Sequence, residues 1–434
     1  MAMMLPGRST LCAAAMLAAP LFLSCPATAP AQGLSSPVAI GARPLPVVEA
    51  KAKKAAPSPA PAPAPAASNS KEPPPRIPYT AAEGAAATIP GMEDARFWAD
   101  SEADYKNALP SQPGPWLALS SGGSDGAFGA GLLAGLSAAG KRPDYAVVTG
   151  VSSGSLMAPF VFAGARYDEA LRNEYTKITA ADVFEAGGSS ESFVDSWPLR
   201  DQIAKQVTPA LLADIAAEHR RGRRLFIATF DIDAERSMIW NMGAIAAHGG
   251  DAALALFRKV LLASASIPGA FPPVLIDVEA NGRKFAEMHV DGGLGGQFFV
   301  APPALMASNS DYHLPATQLY VVVNTNLKND FRVVDRFAPT ILTQTIDAAV
   351  KVDTRLMLSI AYAVTKRSGV EFNVATVPAS FNVPSKGSFD PDYMGALFQV
   401  GFEQGRGSTP FGTDLPPYPG GNTPPSNIER TGAN

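Results

Sequence analysis

The chain has 434 residues, more than the roughly 250 to 300 at which a single hydrophobic core usually stops growing. Of its 40 prolines, 17 fall in residues 1–90, and only 17% of the chain is charged. A disordered leader ahead of a well-packed body is therefore expected, not a mostly disordered protein. The net charge is −4 overall and +4 in the first 90 residues, so the remaining 344 carry −8. That balance argues against nucleic acid as a partner.

In chain order, residues 1–31 read as an export signal: Arg8 gives a positive start, Leu11–Leu23 is mostly apolar, and Ala29-Pro30-Ala31 is an AxA-type cleavage site. Phe22-Leu23-Ser24-Cys25 resembles a lipoprotein cleavage box, so Cys25 is a candidate for acylation. The expected location is the periplasm or envelope, or outside the cell. Residues 32–94 read as a Pro/Ala-rich linker, residues 95–405 as the folded domain, and residues 406–434 as a loose tail. No stretch of the body reaches the roughly 18 uninterrupted apolar residues of a membrane helix.

Within the body, short apolar runs alternate with helical ones. Strands are expected at Trp116–Ser120, Tyr145–Thr149, Leu225–Phe230, Phe285–Val290 and Leu319–Val323. Near-continuous apolarity suits strands buried on both faces of a parallel sheet. Helices are expected at Ala127–Ala139, Ser155–Phe162, Tyr167–Thr176, Asp251–Ala263 and Ile341–Thr365. The alternation predicts an α/β fold of three layers, α/β/α, with a mostly parallel central sheet.

Three features lie just after expected strands, where open α/β sheets place their ligand sites. Gly150-Val151-Ser152-Ser153-Gly154 is a GxSxG pentapeptide between a strand and a helix. Such a turn exposes its serine, which makes Ser152 a candidate nucleophile. Ser120 to Gly129 is glycine-rich and has no Lys or Arg nearby, as a phosphate loop would need. The amides of Gly122, Gly123 and Ser124 are therefore candidates for an oxyanion hole. Asp291-Gly292-Gly293 closes the fourth strand, and its carboxylate is a candidate base for a serine hydroxyl.

The body has no cysteine, since Cys12 and Cys25 both lie in the leader. His219, His248, His289 and His313 form no ligand pair, so neither a metal nor a cofactor is expected. The apolar segments Ile267–Leu275 and Phe298–Leu305 are candidates to line an acyl channel, with burial in the core as the competing expectation.

The order of the glycine loop, GxSxG and DGG resembles the patatin-like phospholipase family, as does Ala263–Pro273 (ASASIPGAFPP). The resemblance implies a serine lipid acyl hydrolase acting on a lipid or acyl ester at a membrane or micelle surface. It implies Ser152 as nucleophile, Asp291 as base in a two-residue dyad, and an oxyanion loop at Gly122, Gly123 and Ser124. The family's loop usually has a third glycine and a basic residue, where this chain has Ser121 and Asp125. Competing readings are a Ser-Asp-His esterase that uses His289 or His313, an inactive lipid-binding envelope protein, and acyl transfer to an acceptor other than water.

Overall fold

The computed structural model describes residues 73, 75–329, 331 and 333–417. The expected export signal, Cys25, most of the linker and the end of the tail lie outside the described residues. Nine strands form the main sheet. They are β1 (Arg96–Trp98), β2 (Gly114–Leu119), β3 (Val147–Val151), β4 (Arg224–Asp231), β5 (Arg236–Asn241), β6 (Val274–Ala280), β7 (Arg283–Asp291), β8 (Ala316–Val323) and β9 (Glu371–Thr376). Along the sheet the order is β1-β5-β4-β3-β2-β8-β9. From β4 to β9 all neighbours are parallel, whereas β5 and β1 add antiparallel at one edge.

The sheet separates two cores, which makes the fold the expected three-layer α/β. Leu117, Leu119, Val148 and Ile227 face one core. Trp116, Ala118, Val147 and Phe226 face the other. Alternate residues of the same strands thus serve opposite layers, which is why these strands read as continuous apolar runs. The first core packs against helices that include α1 (Gly126–Ala138), α2 (Ser153–Ala163), α3 (Asp168–Thr176), α4 (Trp197–Gln206) and α5 (Gly250–Ser264). The second includes the inner face of α6 (Ala338–Ser368), through Leu358, Ala361 and Val364.

One expected parallel strand is antiparallel. β7 pairs antiparallel with β6 on one side and with the end of β4 on the other. The reason is local: β6 alternates buried and exposed residues and meets β7 through Asn281-Gly282, both at positive φ. That is the chemistry of a tight hairpin turn.

Chain that composition places in the linker and the tail also enters the fold. Tyr79 stacks on Phe285 with ring centroids 4.3 Å apart, and Thr80 caps Ala81–Ala86. Thr88 bridges to Glu279 of β6. At the other end Gly412 pairs with Val374 of β9, and Phe411 packs edge-on against Tyr320. A composition average over the Pro/Ala run hides the few anchoring residues beside it.

Candidate active site

β4 is longer than β3, and the overhang organises the site. Val151, the last residue of β3, pairs with Ala228 of β4. The next residue of β4, Thr229, pairs with Asp291, the last residue of β7. β3 and β7 therefore meet end to end in one slot of the sheet, and the residue after β3 is Ser152. The hydroxyl of Ser152 donates to Asp291 Oδ2 at 2.6 Å.

The turn at Ser152 is strained. Its φ of 53° and ψ of −123° lie where a side-chain-bearing residue rarely sits. Two glycines make the turn possible, because a Cβ on Gly154 would come 2.4 Å from the Leu119 carbonyl oxygen, and one on Gly150 2.5 Å from that of Gly154. Two serines, Ser264 at the end of α5 and Ser266 just beyond it, hold the geometry. Ser264 Oγ accepts from the Ser152 amide at 3.1 Å and donates to the Ala228 carbonyl at 2.7 Å. The Asp291 amide donates to the Ser266 carbonyl at 2.8 Å. Both belong to the Ala263–Pro273 segment, so this helix end holds the backbones of both Ser152 and Asp291.

Asp291 is buried, and among the described residues no cation lies against it. Burial pushes its carboxyl up to about 6, only partly offset by the hydrogen bonds from Ser152 and from the Gly293 amide, the latter at 2.8 Å. A carboxylate in that range is a stronger base than an exposed one and is still ionised at neutral pH.

The glycine loop follows β2 and lies beside this pair. Gly122 packs against Asn324, whose carbonyl oxygen would lie 2.0 Å from a Cβ there. Gly123, at φ +54°, lines the same cavity as Ser152. Among the described residues no hydrogen bond takes up the amides of Gly122, Gly123 or Ser124. Two residues that sequence reasoning missed pin this loop. Asn324, after β8, donates to the Ser120 carbonyl and accepts from the Gly129 amide, at 2.9 and 3.1 Å. Gln297 holds Ser121 through its carbonyl, which accepts the Ser121 amide at 2.9 Å, and through its side chain. Neither sits in a motif; the only signal is its position shortly after an expected strand or after DGG.

Asp125, which stands where the family usually has a basic residue, accepts from the Tyr393 hydroxyl at 2.7 Å. Burial raises its carboxyl to about 6.

From Ser152 a cavity runs between helices and holds about 860 Å³ of free space, its open mouth included. Leu156, Phe160, Ile203, Leu261 and Phe271 give it an apolar wall, and its polar lining includes Glu174 and Gln206, paired at 2.6 Å. Of the two candidate channel segments, Ile267 and Phe271 line the cavity, whereas Phe298, Val300 and Leu305 are buried in the second core.

Neither candidate histidine reaches Ser152. His289 is buried, with Nδ1 2.9 Å from Thr229 Oγ1 and Nε2 3.2 Å from Glu287 Oε2, while His313 is exposed. Where the sequence shows no ligand pair, the fold nonetheless gathers Asp231, Glu287 and His289. The Arg96 guanidinium pairs with Glu287 and Trp240 donates to Thr229, so this group is an ion-paired network whose polar atoms serve one another.

Residues 117–305 match the family model for patatin-like phospholipases. This segment belongs to that family. The patatin-like domain contains β2 to β7, with Ser152, Asp291 and the glycine loop, and the match supports lipid acyl hydrolase activity in general terms. No curated protein matches the chain. Among solved structures, the crystal structure of VipD from Legionella pneumophila is similar at 11% sequence identity and a TM-score of 0.35, covering 72% of this chain and 69% of VipD.

Proposed function

We propose that the chain is a serine lipid acyl hydrolase, of phospholipase A or lipase/esterase type, with Ser152 and Asp291 as its dyad and Gly122, Gly123 and Ser124 as its oxyanion site. One observation carries the reading: the hydroxyl of a serine on a strained turn donates to a buried carboxylate at 2.6 Å, on the wall of an apolar cavity. Asp291 takes the hydroxyl proton as Ser152 Oγ bonds to the ester carbonyl carbon, and the free loop amides stabilise the negative charge on the carbonyl oxygen. Cleavage of the ester C–O bond sends that proton to the leaving alkoxide. Water then attacks the acyl-enzyme with Asp291 again as base, releasing the fatty acid and restoring Ser152.

Neither histidine has a part in this scheme, because His289 is committed to Thr229 and Glu287. The AxA site of the leader supports export, which would place the enzyme in the envelope or outside the cell. The test is labelling with a fluorophosphonate, alongside hydrolysis of phosphatidylcholine, triglyceride and p-nitrophenyl esters. Wild type is expected to label and to hydrolyse at least one of these, and Ser152→Ala to do neither. Labelling that survives in folded Ser152→Ala would remove Ser152 from the reaction.

A further inference from the structure

Nine of the eighteen large hydrophobic side chains exposed among the described residues fall between Phe331 and Ile360. That concentration in one segment stands out, since exposed apolar residues are ordinarily scattered singly. Most of it lies on α6. At about 100° per residue, Ile341, Leu342, Ile346, Val352, Leu356 and Ile360 fall within one arc of about 140°. Between Ile341 and Ile360 that arc contains no Lys or Arg, and Asp353 is its single charged residue.

The patch adjoins the candidate site. Met357 Sδ accepts from the Gln297 amide at 3.1 Å, and Gln297 is one of the two residues that pin the glycine loop. Arg355 donates to Asn329 Oδ1 at 2.8 Å and Lys351 to the Lys328 carbonyl at 3.1 Å, which ties α6 to the segment that starts at Asn324, the other pin. Met357 also closes the space beside Gly296, where a Cβ would come 3.2 Å from its Cε, two residues beyond the exposed Leu294 and five beyond Asp291. Ile267, exposed at the cavity wall, extends apolar surface on the Ser152 side.

We propose that the outer face of α6 docks on an electrically neutral or zwitterionic lipid surface. The inference rests on the reading of the chain as a lipid acyl hydrolase, whose substrate lies in such a surface. Charge selects the lipid class. Anionic membranes recruit proteins through Lys and Arg at about 1 kcal/mol each, and this arc has none, so attachment comes from apolar burial and is insensitive to salt.

The test sediments the full chain with phosphatidylcholine vesicles. It uses a Cys25→Ala background, because an acyl group at Cys25 would bind vesicles by itself. Wild type is expected to co-sediment equally at low and high salt, and Ile346→Asp/Leu356→Asp to lose at least about tenfold in partition. Both should hydrolyse soluble p-nitrophenyl butyrate at the same rate. Val352→Asp is a second variant at an equally exposed position, and circular dichroism checks the fold of each. Absence of wild-type binding, binding lost at high salt, or an unchanged partition in both folded variants would overturn the proposal. A wild-type dimer that the variants split would also overturn it, by making a second copy the occupant of the face. If no variant hydrolyses any ester while vesicle binding behaves as expected, the enzymatic reading fails and the docking face stands.

Discussion

Two carboxylates of β7, Glu287 and Asp291, sit four residues apart, both buried, and titrate in opposite directions. At Glu287 burial raises the carboxyl, but hydrogen bonds from His289 and Arg96 together with the Arg96 charge outweigh it and leave it below the usual range. At Asp291 burial dominates, and only a hydroxyl and an amide oppose it. Burial is common to both, so the partner decides. A paired carboxylate is locked as an anion and holds the sheet, whereas an unpaired one keeps its appetite for a proton.

The largest expected effect is on turnover. Asp291→Asn should lower kcat/KM for any ester by at least about a thousandfold, measured against circular dichroism of the folded variant. Next, Arg96→Met, which leaves Glu287 buried and uncompensated, should destabilise the protein by about 3 to 5 kcal/mol in urea melts. Arg96→Met/Glu287→Gln should recover much of that loss. If the single variant melts like wild type, the contrast between the two carboxylates is wrong.

Asp291→Asn should also stabilise the fold at neutral pH, by up to about 3 kcal/mol. The sign follows from a folded-state value near 6 that exceeds the unfolded one: the native state binds the proton more tightly, so stability falls as pH rises through 6. The advantage of the variant should therefore be present at pH 8 and vanish near pH 4. In the same range kcat/KM of the wild type should drop about tenfold per pH unit below 6, because the base must be ionised. The smallest effect concerns the turn. Ser152→Gly should be more stable than Ser152→Ala by about 1 kcal/mol, both being inactive, because only glycine relaxes at that φ and ψ.

Four of the five parallel strands are legible in the sequence, since β2, β3, β4 and β8 are largely buried on both faces and read as apolar runs; the fifth, β9, is not among the expected strands, because Glu371 and Asn373 interrupt its apolar run. The hairpin of β6 and β7 was half-read. Phe285–Val290 is an expected strand, but Val274–Ala280 alternates with Asp277 and Glu279, and its partnership with β7 is signalled only by Asn281-Gly282 between them. Ser152, Asp291 and the glycine loop announce themselves through glycines that a sharp turn requires. Ser264, Ser266, Gln297 and Asn324 do not, because a residue that holds a distant segment by a side-chain or carbonyl hydrogen bond needs no particular spacing. The outward face of α6 was likewise invisible: a helical apolar stripe looks the same whether the protein or something else covers it.

The end-to-end meeting of β3 and β7 also bears on when the enzyme becomes dangerous to its maker. Ser152 and Asp291 are 139 residues apart, and β7 reaches its place only by pairing with the β4 overhang. Contacts of such long sequence separation close late in folding. On the proposed reading of the two residues, a chain that has not yet closed β7 onto β4 carries its nucleophile without its base. The order of assembly is then a safety catch, because hydrolysis waits on that long-range pairing.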